Sequence, residues 1–383
     1  MEPVRVLNVV GRMDRGGIET MIMNVYRTID RSQLQFDFLA HYGKPDADYN
    51  EEILSLGGRI YEMPRIKSTT KTYYTKFFEY RRALIDFFTE HQEYNILHGH
   101  MTNTAAIYMP IAEKYGHIEC RISHSHNEKS SGGISGIVSD ILSSRIPSLA
   151  TDWFACSAAA AKWFYDDDAV ASGKVTIIKN GVDTQKFRYS PEIRTAKRRE
   201  LGLEDNFVVG NVARFFPQKN QKYLINALPA LLDAVPEAVV CFVGEGRELG
   251  EAQELAHSLG VDEHIRFLGL RSDVEQLMQA FDVFVMPSLF EGLPLVGVEA
   301  QSAGLPCVFS DGITREADIT GNVSYLSLDD GYDAWAQRIA ACKGHQRSDT
   351  SGLVADMGYD IKNTAKFLTD FYLSHAEKHN LQK

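Results

Sequence analysis

The feature that most narrows what this chain can fold into is a rhythm: short runs rich in Val, Ile and Phe recur along it, each followed by a turn and an amphipathic segment of helical length. A strand covered by helices on both faces of a parallel sheet reads as a continuous apolar run, whereas a strand with one wet face alternates. The runs VRVLNVV (4–10), FDFLA (36–40), RIYEM (59–63), NILHGH (95–100), IECRISH (118–124), WFAC (153–156) and VTIIK (175–179) form a first series. A second comprises FVVGNVA (207–213), AVVCFVG (238–244), IRFLG (265–269), VFVMP (283–287), PCVFS (306–310) and VSYL (323–326). The expected class is α/β.

Between the two series, NGVDTQKFRYSPEIRTAKRRE (180–200) breaks the rhythm with an Asn-Gly turn, a proline and a charged helix. With 383 residues, 44% of them hydrophobic, two cores are expected rather than one. The expected division is 1–185, 186–355 and a last helical segment, 356–383. The net charge of −11 argues against a general nucleic-acid binder, which needs excess Lys and Arg. Five cysteines without a close pair suggest neither a disulfide framework nor a zinc ribbon, so a cytoplasmic location is expected. The chain enters its first strand by Val4, which leaves no room for a secretion signal, and no apolar run approaches the ~18 residues of a spanning helix.

The segment FEGLPLVGVEAQSAGLP (290–306) sets Glu291 in a turn at the carboxyl end of a strand and Glu299 on the following helix. Ligands of open parallel sheets sit at such ends. The backbone N–H groups of Gly292, Leu293, Leu295 and Val296 would lie at a helix N-terminus, where an anion is favoured. Two carboxylates accept hydrogen bonds, so a ligand satisfying both needs hydroxyls beside its anionic part, as a nucleotide sugar has. The competing reading is a helix-start acid and a solvated helix acid. The apolar and small neighbours of Glu299 speak against the second half of it.

FVMPSLFEGLPLVGVEAQSAGLPCV resembles the nucleotide-sugar segment of retaining glycosyltransferase family 4, with its E-x7-E signature, and the likeness extends back through VGEGRELGEAQELAHSLG and GNVARFFPQKNQKYLINAL. The resemblance implies a GT-B fold, two Rossmann-like domains facing across a central cleft, with the last helix crossing back onto the first. It implies that Arg214 and Lys219 grip the donor diphosphate, that Glu299 binds ribose hydroxyls, and that Glu291 meets the transferred sugar. VGEGREL (243–249) is a poor dinucleotide fingerprint, since its third glycine is displaced to Gly250; Gly244 and Gly246 serve a sharp turn and lie along the nucleotide.

In the first series, GRMDRGGIETMIMNVYRTI places Gly16 and Gly17 before a helix, either as a tight turn or as a close approach to ligand, and the resemblance assigns Gly17 to the donor phosphate. Two H-x-H pairs end strands: His98 with His100, and His124 with His126. Without an accompanying acid or cysteine they do not make a metal set, and no metal or other cofactor is expected. The resemblance places a histidine near the reacting carbon of the donor sugar; His124 matches best, with His126 and Asn127 close behind and His100 as a further polar candidate.

The segment KSTTKTYYTKFFEYRRALIDFF (67–88) interleaves bases with aromatic rings in an acidic protein, which reads either as a membrane-surface helix or as a core helix with snorkelling bases. The expected function is transfer of a sugar from a UDP-sugar, or a GDP-sugar, to a saccharide or polyprenyl-linked saccharide in bacterial polysaccharide assembly, at the inner face of the membrane. Retention of configuration follows from the resemblance alone. The alternatives are a GT-B sugar-nucleotide epimerase and a silent nucleotide-sugar-binding subunit.

Overall fold

The computed structural model describes residues 2–41, 46–64, 73–126 and 144–382. The chain divides into two units, Met1–Gly181 with Ile361–Lys383, and Val182–Asp360. The crossing points lie a few residues from the expected 185 and 355, at the Asn-Gly turn and just before the last helix.

In the first unit, seven parallel strands are β1 (Val4–Val10), β2 (Leu34–Ala40), β3 (Ile60–Glu62), β4 (Ile96–Gly99), β5 (Cys120–Ser125), β6 (Asp152–Ala155) and β7 (Val175–Ile177). Their order is β3-β2-β1-β4-β5-β6-β7, so the winding reverses between β1 and β4. All seven residues of β2 are buried, including Asp37. A charge is tolerated there because Arg5 grips it through two bonds of 2.6 Å, while Tyr94 Oη and the Arg59 N–H donate to it at 2.7 and 2.8 Å. The helix Ile361–Gln382 packs on the helix Gly17–Thr28 and on β1 and β4.

The second unit holds β8 (Phe207–Val212), β9 (Ala238–Val243), β10 (Ile265–Phe267), β11 (Val283–Met286), β12 (Cys307–Ser310) and β13 (Val323–Leu326). The order β10-β9-β8-β11-β12-β13 repeats the winding of the first unit and reverses between β8 and β11. Two glycines after β9 are dictated by backbone. Gly244 (φ 136°) and Gly246 (φ 154°) have their Cβ positions 2.2 and 2.3 Å from the carbonyl oxygens of Ala213 and Phe215, so the β9 turn presses on the β8 turn without room for a side chain.

Of the basic aromatic segment, Lys67 and Lys71 lie outside the described residues. The helix Tyr73–Glu90 buries Tyr80, Leu84, Phe87 and Phe88, one stripe of a 3.6-residue period, in the core of the first unit. Tyr80 is therefore a core ring, hydrogen-bonded to His41, and not a lipid-facing one. Phe78, Arg81 and Arg82 face outward.

Candidate functional site

In the second unit the loops after β8 and β11 are stitched together by polar bonds. Leu289 N–H donates to the Gln218 carbonyl at 2.8 Å, Gln218 Nε2 to the Phe290 carbonyl at 2.9 Å, and Asn220 Nδ2 to the Pro287 carbonyl at 3.1 Å. Glu291 is held from its other side, its N–H donating to Gly312 at 3.1 Å and its carbonyl accepting from Thr314 N–H at 3.3 Å. These bonds bring Lys219 and Glu291, 72 residues apart, into an ion pair whose side chains are only 22% and 10% exposed. The structure thus joins one base and one acid from the sequence reading.

Arg214, on the same β8 loop, is exposed and makes no side-chain bond among the described residues, while its carbonyl accepts from Gln221 Nε2 at 3.0 Å. The helix after Glu291 runs Leu295–Ser302, with Pro294 at the cap position and no side-chain cap. First-turn N–H groups have no acceptor within a helix, so those of Leu295 and Val296 stand open beside the Lys219–Glu291 pair, with Gly292 and Leu293 on the approach.

Glu299 lies on this helix but not in the ion pair. Burial pushes its carboxyl up to about 7; the charge of Lys186 opposes that and the charge of Glu275 adds to it. Lys186 and Glu275 are bridged at 3.3 Å. Neither was among the residues singled out in the sequence: both sit on short polar stretches with no motif around them, and only the packing of the helix Thr184–Phe187 against both the Glu299 helix and the helix Val274–Ala280 reveals them.

In the first unit, Gly17 opens the helix Gly17–Thr28, and a Cβ there would meet nothing within 4 Å. At the carboxyl ends of β4 and β5 the two H-x-H pairs interleave into one cluster. His98 Nδ1 bonds Tyr372 Oη at 2.5 Å and His98 Nε2 bonds His124 Nδ1 at 3.1 Å. His100 Nε2 bonds Asn8 Oδ1 at 3.2 Å and His100 Nδ1 bonds His126 Nε2 at 3.0 Å. Asn8 and Tyr372 were invisible as partners in the sequence, one on β1 and the other on the last helix.

Burial holds all four histidines neutral, aided by neighbouring rings at His98, His100 and His124; His98 and His126 are lowered to about 3, His100 and His124 well below their ordinary value. His124 is 0% exposed, so the histidine expected to face a sugar is itself enclosed. His126 is the partly exposed member, and Asn127 lies outside the described residues. His98, His100 and His124 bring ring nitrogens within 4.8 Å of one another, but both nitrogens of His98 and of His100 are already hydrogen-bonded. A second grouping, Cys120, Asp152 and His375, lies at the other end of β5, where Thr151 and the Phe371 carbonyl engage Asp152 and His375.

Two doubly wound parallel sheets in one chain, the second with paired charges and open helix N–H groups at its switch point, define a glycosyltransferase of the GT-B class. The chain belongs to glycosyltransferase family 4: residues 15–186 match the family described as Glycosyltransferase Family 4, and residues 193–342 match Glycosyl transferases group 1. It is 34% identical over 385 residues to EpsF of Bacillus subtilis (strain 168), named as a glycosyltransferase, covering 98% of each chain. Over 142 residues it is 37% identical to the UDP-Gal:alpha-D-GlcNAc-diphosphoundecaprenol alpha-1,3-galactosyltransferase of Escherichia coli, covering 36% of this chain and 37% of that one. The crystal structure of Anabaena HepE in complex with UDP shares the fold with a TM-score of 0.76 at 19% identity, covering 97% of this chain and 100% of that one.

Proposed function

We propose that this protein transfers a glycosyl unit from a nucleoside diphosphate sugar, UDP ahead of GDP, to a saccharide or lipid-linked saccharide acceptor, with retention and without a metal. The observation that carries the reading is the Lys219–Glu291 pair held beside the uncapped N-terminus of the helix Leu295–Ser302. A diphosphate arriving there takes the place of Glu291 as partner of Lys219, and Arg214 is free to add a second, bidentate grip. As the glycosidic bond breaks, the diphosphate gains charge, and fixed cations and N–H dipoles stabilise that charge more than they stabilise the intact donor. Glu291, released from Lys219, accepts from a sugar hydroxyl. Glu299 accepts from ribose hydroxyls, and the open space over Gly17 admits a phosphate against the backbone. Retention comes with the family rather than from a side chain in view.

The E. coli relative's name specifies a UDP-sugar donor and a diphosphoundecaprenol-linked acceptor, and HepE was crystallised with UDP; both favour the same chemistry here. No helix among the described residues is long and apolar enough to cross a membrane. Contact with a lipid-linked acceptor would then fall to a surface such as Phe78, Arg81 and Arg82.

The test is a panel of UDP- and GDP-sugars screened for thermal stabilisation, followed by Glu299→Ala with the best binder. Saturating donor should add on the order of 2–4 kcal/mol, and the substitution should remove much of it. Product anomers and turnover in a chelator then read out stereochemistry and metal independence. If no nucleotide sugar stabilises the protein, the donor reading is wrong; an epimerised donor in the absence of acceptor would make it an epimerase.

A further inference from the structure

The hydrogen bonds of the histidine cluster determine where its protons are. A neutral imidazole carries one N–H and one lone pair, so fixing one nitrogen fixes the other. Asn8 Nδ2 points at the Val6 carbonyl, 3.5 Å away, which leaves Asn8 Oδ1 facing His100. An amide oxygen only accepts, so His100 Nε2 carries the hydrogen and His100 Nδ1 the lone pair. His126 must then donate through Nε2 to His100 Nδ1, and its Nδ1 is left as a lone pair.

The second chain runs in the same way. Tyr372 is fully buried, and the His98 ring is its one hydrogen-bond partner among the described residues. A buried hydroxyl donates where it can. His98 Nδ1 accepts from it, His98 Nε2 donates to His124 Nδ1, and His124 Nε2 is left carrying a hydrogen. The free ends are the buried atoms His124 Nε2 and His126 Nδ1, which have no partner among the described residues. Asn8, His98, His100 and Tyr372, the starts of both chains, line a single small cavity between β1, β4 and the last helix.

We propose that these are two positioning relays, Asn8–His100–His126 and Tyr372–His98–His124, which lock all four rings in the Nε2–H form and make His126 Nδ1 an obligate acceptor beside an obligate donor on His124. Such a pair suits a neutral group that both gives and takes a hydrogen bond, a hydroxyl of a sugar, and is ill-matched to a phosphate oxygen, which cannot donate to a lone pair. The sugar assignment rests on the glycosyltransferase reading; the tautomers do not. Asn8 and His100 act through His126, and the reactive face of the first unit is set by residues that touch no ligand.

The experiment is long-range 1H–15N NMR of 15N-histidine-labelled protein at neutral pH without substrate. Each of the four rings should show a protonated Nε2 and an unprotonated Nδ1; a protonated Nδ1 or an imidazolium at any of them overturns the relay. In Asn8→Leu the anchor of one chain is gone, so a protonated Nδ1 should appear at His126 while His124 keeps its form. An unchanged His126 would show that Asn8 positions nothing. Asn8→Asp, which keeps the acceptor, should restore the pattern. In turnover, Asn8→Leu should lower kcat about tenfold, the worth of one hydrogen bond, with Asn8→Asp recovering much of it. A correct ring pattern in a protein that no nucleotide sugar stabilises would leave the relay standing and remove only the sugar from it.

Discussion

The two units share a winding and differ in what they place at the point where it reverses. The first sets four uncharged rings there, joined by hydrogen bonds and enclosed; the second sets the Lys219–Glu291 ion pair, half open, with the Arg214 side chain, unbonded among the described residues, on the same loop. A Rossmann-like sheet therefore does not dictate the electrostatics of its own mouth. The polar partners are chosen by which loops are stitched to which, and the two units made opposite choices. On the proposed reading one orients a neutral group and the other stabilises a developing negative charge.

The contrast can be broken most directly with acid. His41, His98, His100, His124 and His126 all belong to the first unit, and burial holds each of them below its ordinary value; His41 falls to about 4. Groups with depressed folded pKa values contribute stability that is present above the unfolded value near 6.5 and lost as pH falls below it, because only the unfolded chain takes up the protons. Between pH 6.5 and 5.5 that is on the order of 1 kcal/mol per histidine, about 5 kcal/mol in all. Hydrogen exchange followed by mass spectrometry should show β1, β4 and β5 opening while β8 and β11 stay protected. Equal loss in both sheets would erase the distinction.

Lys219→Met takes the charge out of the second unit. The expected loss in kcat is 10²- to 10³-fold, about 3–4 kcal/mol of transition-state stabilisation, with the fold intact by circular dichroism. A loss confined to KM would mean that the pair binds the donor uniformly and does not act on the leaving group.

The two glycine turns sharpen the comparison further. Gly244→Ala forces a Cβ to within 2.2 Å of a carbonyl oxygen at φ 136°, and should cost roughly 1–3 kcal/mol in chemical denaturation. Gly17→Ala meets open space, and should change stability by less than ~0.5 kcal/mol while lowering turnover. A silent Gly17→Ala would take the backbone of the first unit out of the donor contact.

The remaining effect is a slope. The carboxyl of Glu299 is raised to about 7, so between pH 4.5 and 7 the folded chain holds a proton that the unfolded chain releases, and the second unit loses stability as pH rises, the reverse of the first. Ribose hydroxyls donate to the ionised form, so donor affinity should strengthen through the same interval. Glu299→Gln, with Lys186 and Glu275 left in place, should flatten both trends in parallel titrations.

How much of this was legible in the sequence follows the same division. Strands such as FVVGNVA and VFVMP announce themselves because double-sided burial demands unbroken apolar runs; Glu291 and Glu299 stand out by their place around one strand-to-helix turn, whereas Arg214 and Lys219 were singled out through the family resemblance. The partners of His124 were not legible, for a physical reason. The sequence shows two pairs at period two, but not that Asn8 lies opposite His98 in the register of β1 and β4, nor that Tyr372 arrives from 274 residues away. Lys186 and Glu275 were missed likewise, since their meaning comes only from the neighbour that packing supplies.

The return of the chain at Ile361 carries a consequence for biosynthesis. Tyr372 and the helix that bears it emerge from the ribosome after the whole of Val182–Asp360, so the sheet of the first unit waits, with β1 and β4 uncovered and His98 lacking its phenol, until the second unit has been made. The unit that begins before the other is completed after it, and a released chain ending at Asp360 would carry all of the second unit but an unsealed first one.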